Sequence, residues 1–218
     1  MKARMKKLNR RLGLMLLAGI IIILLSGASF FDKRASSQVD TENITLSTNV
    51  QSSLALAVSS NIYAFGNLTA GTPKKGTVGI DADVTTNATN GYTLGISDGV
   101  AGNDSALLHT DTVTRIIDYA GTIAAPTLWN SGVDTGLGTT VYAADTAKEG
   151  KWGAGVAYDD VNNKYAGVPQ AATTIHTSTG YKVGADTTSV AFIVDVAADQ
   201  KSGAYSGNVT LTATAVLI

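Results

Sequence analysis

Two histidines, His109 and His176, are the natural candidates for acid–base work near neutral pH. Neither has a partner at metal-ligand spacing, and each lies in a threonine-containing segment that reads as solvated loop or strand. Serines are many, but no Gly-x-Ser-x-Gly elbow sets one on a strand-to-helix turn, so acyl transfer lacks both base and orienting acid. Gly95 and Gly99 stand outside any strand-to-helix context and make no phosphate cradle. Glu42 and Glu149 are the only glutamates, and no aspartate pair replaces them as the two facing carboxyls of a glycosidase. The residues point away from an enzyme, and no cofactor is expected.

Two acidic loops, Asp98 to Asp104 and Asp159 to Asn163, offer the oxygen ligands a hard cation needs. Asp98, Asp104, Asp159 and Asp160 are the side chains calcium would use. The spacing is not that of an EF-hand, and Asp and Asn favour such turns for backbone reasons alone. Trp129, Trp152, Tyr158 and Tyr165, with Tyr142, cluster in the irregular middle of the chain. They are either a stacking platform for sugar rings or the packing of a β-sandwich. Asn43, Asn67, Asn87, Asn103 and Asn208 each open an Asn-x-Ser/Thr sequon.

Ahead of these residues stands a leader. Lys2, Arg4, Lys6, Lys7, Arg10 and Arg11 form a basic start, Leu12 to Leu25 is apolar residues and glycine, and Ser26-Gly27-Ala28 are small. This is the layout of a secretory signal peptide cut after Ala28. The alternative is an uncleaved anchor, since Leu12 to Phe31 approaches the ~20 residues that span a bilayer. Either way the basic end stays in the cytoplasm and the rest lies outside, so membrane contact is expected only through an uncleaved leader. Without those six residues, ten basic side chains face seventeen acidic ones, a formal charge of −7 that argues against nucleic acid as a partner. The chain has no cysteine, so the exported fold uses no disulfide.

Residues 29–40 read as a linker and residues 41–218 as one β-domain. Ile44, Leu46, Thr48 and Val50 alternate with polar neighbours, and Leu54, Leu56 and Val58 continue the spacing after a break. Ile62 to Phe65 reads as a short strand. Thr77 to Val84 and Tyr92 to Ile96, joined through Asn90-Gly91, read as the clearest hairpin. Residues 97–180 are less regular, with a strand expected at Lys151 to Tyr158 and a turn of helix around Val141 to Gly150. Alternation returns at Thr188 to Val196 and in the stretch from Tyr205 to Leu217, with an irregularity at Gly207. Many short strands with Gly and Asn turns predict an antiparallel β-sandwich with an irregular middle insertion, preceded by an apolar leader helix.

Four phrases sharpen that expectation: Ala64-Phe65-Gly66-Asn67-Leu68, Asn87 to Leu94, Trp152-Gly153 with Tyr165 to Pro169, and Ser202 to Ala213. Together they resemble bacterial surface β-sandwich proteins of the spore coat protein U-like and WxL-like type. The sequence departs from both, since Trp129-Asn130-Ser131 is not a W-x-L triplet and the coat-group cysteines are absent. The resemblance implies an immunoglobulin-like sandwich at the cell surface. The expected role is a non-enzymatic exported envelope protein that adheres to, or associates with, a cell-wall or host-surface glycan or protein. The alternatives are a self-associating pilin-like subunit that adds the strand Thr41 to Val50 to a neighbour, and a secreted carbohydrate-binding module.

Overall fold

Strict alternation from Ile80 to Thr86 buries Ile80, Ala82, Val84 and Thr86 and turns the residues between them toward the surface. This stretch is one of thirteen strands in the computed structural model, which describes residue 42 and residues 45–217. In chain order they are β1 (Leu54–Val58), β2 (Lys74–Lys75), β3 (Ile80–Thr86), β4 (Tyr92–Ser97), β5 (Asp104–His109), β6 (Arg115–Ile117) and β7 (Thr127–Leu128). There follow β8 (Gly136–Ala144), β9 (Lys164–Gly167), β10 (Thr173–Ser178), β11 (Lys182–Asp195), β12 (Tyr205–Ser206) and β13 (Thr210–Ala215). The helical piece among the described residues is one 3-10 turn, Gly150–Trp152.

One sheet runs β1-β3-β11-β8-β9-β7, with β2 also paired to β11. Two three-stranded sheets, β10-β4-β13 and β12-β5-β6, form the opposing layer. They share one run of chain, because β12 and β13 are separated only by the three residues 207–209. A Cβ at Gly207 would lie 1.9 Å from the Ala106 carbonyl oxygen, so only glycine lets the chain pass from β5 to β4. All named pairings are antiparallel. One core fills the space between the layers, with Val84, Val141, Val190 and Val194 from the first and Tyr92, Leu94, Ile96 and Ile175 from the second. The molecule is therefore all-β and sandwich-like.

Several local expectations are corrected. The segment Thr77 to Ile96 is not a hairpin. β3 pairs with β1 and β11, whereas β4 pairs with β10 and β13. Both strands turn apolar faces into the same core, which puts them face to face rather than edge to edge. Asn87–Gly91 is a bridge between layers. Gly91 sits at φ 81 and its Cβ position lies 2.0 Å from the Ser178 carbonyl oxygen. Ile62 to Phe65 is not a strand, because Tyr63 packs through its ring. Lys151 to Tyr158 is not one either: the 3-10 turn carries Trp152 into the core, and β8 continues to Ala144 where a helical turn was expected. β3 begins at Ile80, leaving Val78 exposed.

Glu42 and Thr45–Asn49 lie before the compact unit that starts at Val50. They are exposed and form no strand within the single chain; the strand addition expected of Thr41 to Val50 concerns a neighbouring molecule. The leader, its cleavage point at Ala28 and the linker 29–40 lie outside the described residues.

Candidate functional site

β1 and β13 each have one paired neighbour in their sheets, β3 and β4 respectively, and they meet at the same margin of the sandwich. The layers do not close there. A groove of about 630 Å³ opens between them, with Leu56 and Val58 on one side, Val209 and Leu211 on the other, and Tyr63 and Phe192 at its floor.

Local chemistry holds this groove open. β1 reads Leu-Ala-Leu-Ala-Val, five apolar residues in an edge strand with neither lysine nor proline to blunt it. Alternation faces Leu56 inward, while Leu54 and Val58 remain 37% and 41% exposed. The floor is set by Tyr63. Its ring packs edge-on against Phe65 and Phe192 with centroids 5.2 and 5.1 Å away. Its hydroxyl donates to the Phe192 carbonyl at 3.0 Å and accepts from the backbone N–H of Phe192 at 3.1 Å and of Gly76 at 3.0 Å. Phe192 lies between the stretch of β11 that pairs with β3 and the stretch that pairs with β2. The phenol thus fills a rung of the ladder that backbone leaves empty.

At the entrance to β1, Asn87 grips the incoming chain. Its side-chain oxygen accepts from Ser53 N–H at 2.6 Å and its amide donates to the Gln51 carbonyl at 2.9 Å. Thr86 Oγ1 adds a 2.8 Å donation to the Ser53 carbonyl. Gln51–Ser53 is therefore held beside the end of β3, ahead of β1.

The aromatic candidates divide. Trp152 is fully buried in the main core, and its Nε1 donates to the Ile175 carbonyl at 3.0 Å. Tyr165 is buried in a second cluster with Tyr119 and Ile193, against which the half-buried Trp129 packs. Trp129 stacks on Tyr119 with centroids 4.6 Å apart and meets Tyr165 edge-on at 6.1 Å. Tyr158 is half-buried and shares no ring contact with them among the described residues. The buried rings of Trp152 and Tyr165 present no face to a sugar; both serve as packing.

The acidic loops are engaged in their own turns. The Asp160 carboxylate accepts from the N–H groups of Asn162 and Val156 at 2.9 and 3.2 Å, and these bonds hold it below the usual carboxylate range. Asp98 accepts from Val100 N–H at 2.9 Å, and burial raises its carboxyl. Asp104 and Asp159 are exposed. Among the described residues no three His, Cys, Asp or Glu side chains converge in a way that would hold a metal ion.

His109 is occupied at both nitrogens. Nδ1 accepts from Asp111 N–H at 3.0 Å, leaving the Nε2 proton for the Ser202 carbonyl at 3.1 Å. His176 is buried in β10, neither ring nitrogen has a partner, and burial lowers its basicity.

Two features were not singled out from sequence. Asp118 is half-buried; burial, followed by the charge of Asp98, pushes its carboxyl up to about 7, while the 3.3 Å bond from Val168 N–H acts the other way. A polar network also crosses the interior. Tyr92 donates to Asp186 at 2.9 Å, Thr146 donates to the same carboxylate at 3.0 Å, and Thr146 meets Ser178 at 2.9 Å. Lys182 closes it, 3.1 Å from Thr146 Oγ1 and 3.6 Å from Asp186. The only sequence signal for it was an acid within a long strand. No protein-family model matches the chain, and no curated protein matches it.

Proposed function

We propose that the chain is a non-enzymatic surface protein that works outside the cytoplasm by binding, through an immunoglobulin-like sandwich. The observation that carries the reading is the open apolar groove between β1 and β13 beside an unblunted edge strand. Such an edge offers a ladder of backbone groups and a row of apolar contacts, the combination that takes up an extended polypeptide. The leader supports export, and the resemblance to the coat protein U-like and WxL-like group supports the immunoglobulin-like arrangement and the envelope as the place of work. Attachment to the wall or adhesion to another surface follows from the same edge.

Fractionation of cells carrying the full chain tests this, with intact mass and surface proteolysis of each fraction. The expected result is a protease-accessible chain in the envelope or medium, either starting near Ser29 or retaining its leader in the membrane. Recovery of a protected chain in the cytoplasm would overturn the reading.

A further inference from the structure

We propose that the groove between β1 and β13 is a ligand site for a neutral single-chain amphiphile, an acylglycerol or a long-chain alcohol, held with its hydrocarbon chain between the two layers. This rests on the groove being the working surface, and it concerns the space between the layers rather than the edge of β1.

Depth sets this space apart from a surface patch. Its walls reach Ile80, Ala106, Leu137 and Phe192, each less than one tenth exposed. At about 630 Å³ it has the size of a small-molecule site. Polypeptide backbone is a poor filling for it. A chain paired along β1 lies in the plane of the sheet, and peptide groups set between the layers instead would be buried without partners. The floor supplies none, because the Tyr63 hydroxyl is already committed to Phe192 and Gly76. A hydrocarbon chain has no polar group to satisfy and gains from each methylene it buries.

The head group follows from the lip. Val58 pairs opposite Ala82 and Thr210 opposite Ser97, both in the half of the sandwich away from the Asn87–Gly91 bridge. Ser60 and Asn61, just beyond β1, and Asn208, just before β13, therefore fall at the same end of the groove, and both asparagines are exposed. Amides and hydroxyls are the partners of an ester or alcohol head. Among the described residues no Lys, Arg, His, Asp or Glu lines the groove. A carboxylate or phosphate head finds no counter-charge there, and its desolvation goes uncompensated. The uncharged lining thus separates an acylglycerol from a fatty acid with the same chain.

Photolabelling of cells carrying the full chain tests this. The probe is a monoacylglycerol with a diazirine in its acyl chain, and labelled peptides are mapped by mass. The expected result is saturable labelling within residues 56–65 and 205–211, displaced by unlabelled monoacylglycerol and about tenfold less effectively by the fatty acid of the same chain length. Val58→Glu, at a 41% exposed position in the lining, should lower the labelling by about tenfold or more. Leu54→Glu, on the same face of β1 but outside the lining, should leave it within about twofold. Val209→Glu carries the test to the opposite wall, and a parental urea midpoint identifies the variants that fold. Unsaturable labelling, labelling confined to the leader, or equal displacement by the fatty acid would overturn the proposal. Equal losses in Val58→Glu and Leu54→Glu would also overturn it and give the groove to a strand along β1. Groove labelling in a cytoplasmic chain would uphold it and sink the surface reading. A surface-exposed chain without groove labelling would sink it and leave the surface reading standing.

Discussion

The indole Nε1 of Trp152 donates to the carbonyl oxygen of Ile175 at 3.0 Å, and that carbonyl belongs to the one residue of β10 that the ladder skips. Thr174 pairs with Gly95 and His176 with Leu94, so Ile175 is the extra residue of a bulge. The bulge turns two successive side chains, Ile175 and His176, toward the interior. A buried carbonyl without a ladder partner is costly, and the indole answers it. Trp152→Phe keeps most of the ring and removes the donor. The expected loss is about 1–3 kcal/mol in urea unfolding of the purified chain. Trp152→Ala adds a cavity and should lose about 3–5 kcal/mol.

Gly91→Ala should be worse than an ordinary surface change. The residue is at φ 81 and the new methyl would meet the Ser178 carbonyl carbon at 2.9 Å and its oxygen at 2.0 Å. The backbone at β10 has to shift, so a destabilisation of about 2 kcal/mol or more is expected. The midpoint of chemical denaturation measures it. Gly99→Ala, with a similar φ of 73 and open space around it, supplies the control for backbone conformation alone.

Asp118 makes stability fall as pH rises. Its folded carboxyl is raised to about 7, so between the unfolded value near 4 and that point the native state holds a proton that the unfolded state has released. Asp118→Asn keeps an acceptor for Val168 N–H and removes the titration. The variant should be more stable than the parent at pH 8 by on the order of 1 kcal/mol, a figure reduced for the solvent access of a half-buried carboxyl, and similar to it at pH 4. Thermal melts at the two pH values read the difference.

His176 acts in the opposite sense. Burial lowers its basicity, so below the ordinary imidazole value near 6.5 the unfolded chain gains a proton that the native chain resists. Stability attributable to it is therefore lost as pH falls. With both nitrogens unpartnered, His176→Leu removes a desolvated polar ring at little cost in volume and should raise stability below pH 6. Melts from pH 5 to 8 should show the acid slope flatten; an unchanged slope would assign the acid lability elsewhere.

Strands β3 and β13 were legible because every second residue of each turns inward, and β4 and the later part of β11 because large apolar residues recur there at every second position, although β11 is buried on both faces over its last eight residues. β8 was not, although it is a central strand of the larger sheet. Its first six residues, Gly136–Val141, are all buried, and four of them are glycine or threonine. Gly138 is packed on the Ile193, Tyr165 and Trp129 side chains, with contacts of 3.1 to 3.4 Å from its Cβ position. A strand buried by its neighbours' bulk carries no period of its own. The β3–β4 turn misled for another reason, since Asn-Gly specifies a reversal but not whether the returning strand joins the same sheet. The groove was illegible because Leu56 and Tyr63 are distant in sequence from Phe192 and Val209 and become their neighbours only when β11 and β13 are in place. The alternation of residues 44–50 was visible, but its lack of a partner within the described residues emerged only from the fold.

The crossing of β3 and β4 between layers also sets the order in which this chain can fold. Asn87–Gly91 joins no local pair, so β3, which has β1 beside it early, gains its second neighbour only from β11, whose Thr187 and Ser189 hydroxyls donate to Asp83 and Asp81 from 104 and 108 residues further on. Topologies dominated by such distant pairings fold slowly. In a chain threaded through a pore from its amino end, the pairs β1–β3 and β8–β9–β7 could form ahead of β11, but only β11 joins them into the larger sheet. The larger sheet would stay in two halves until nearly all of the chain had passed.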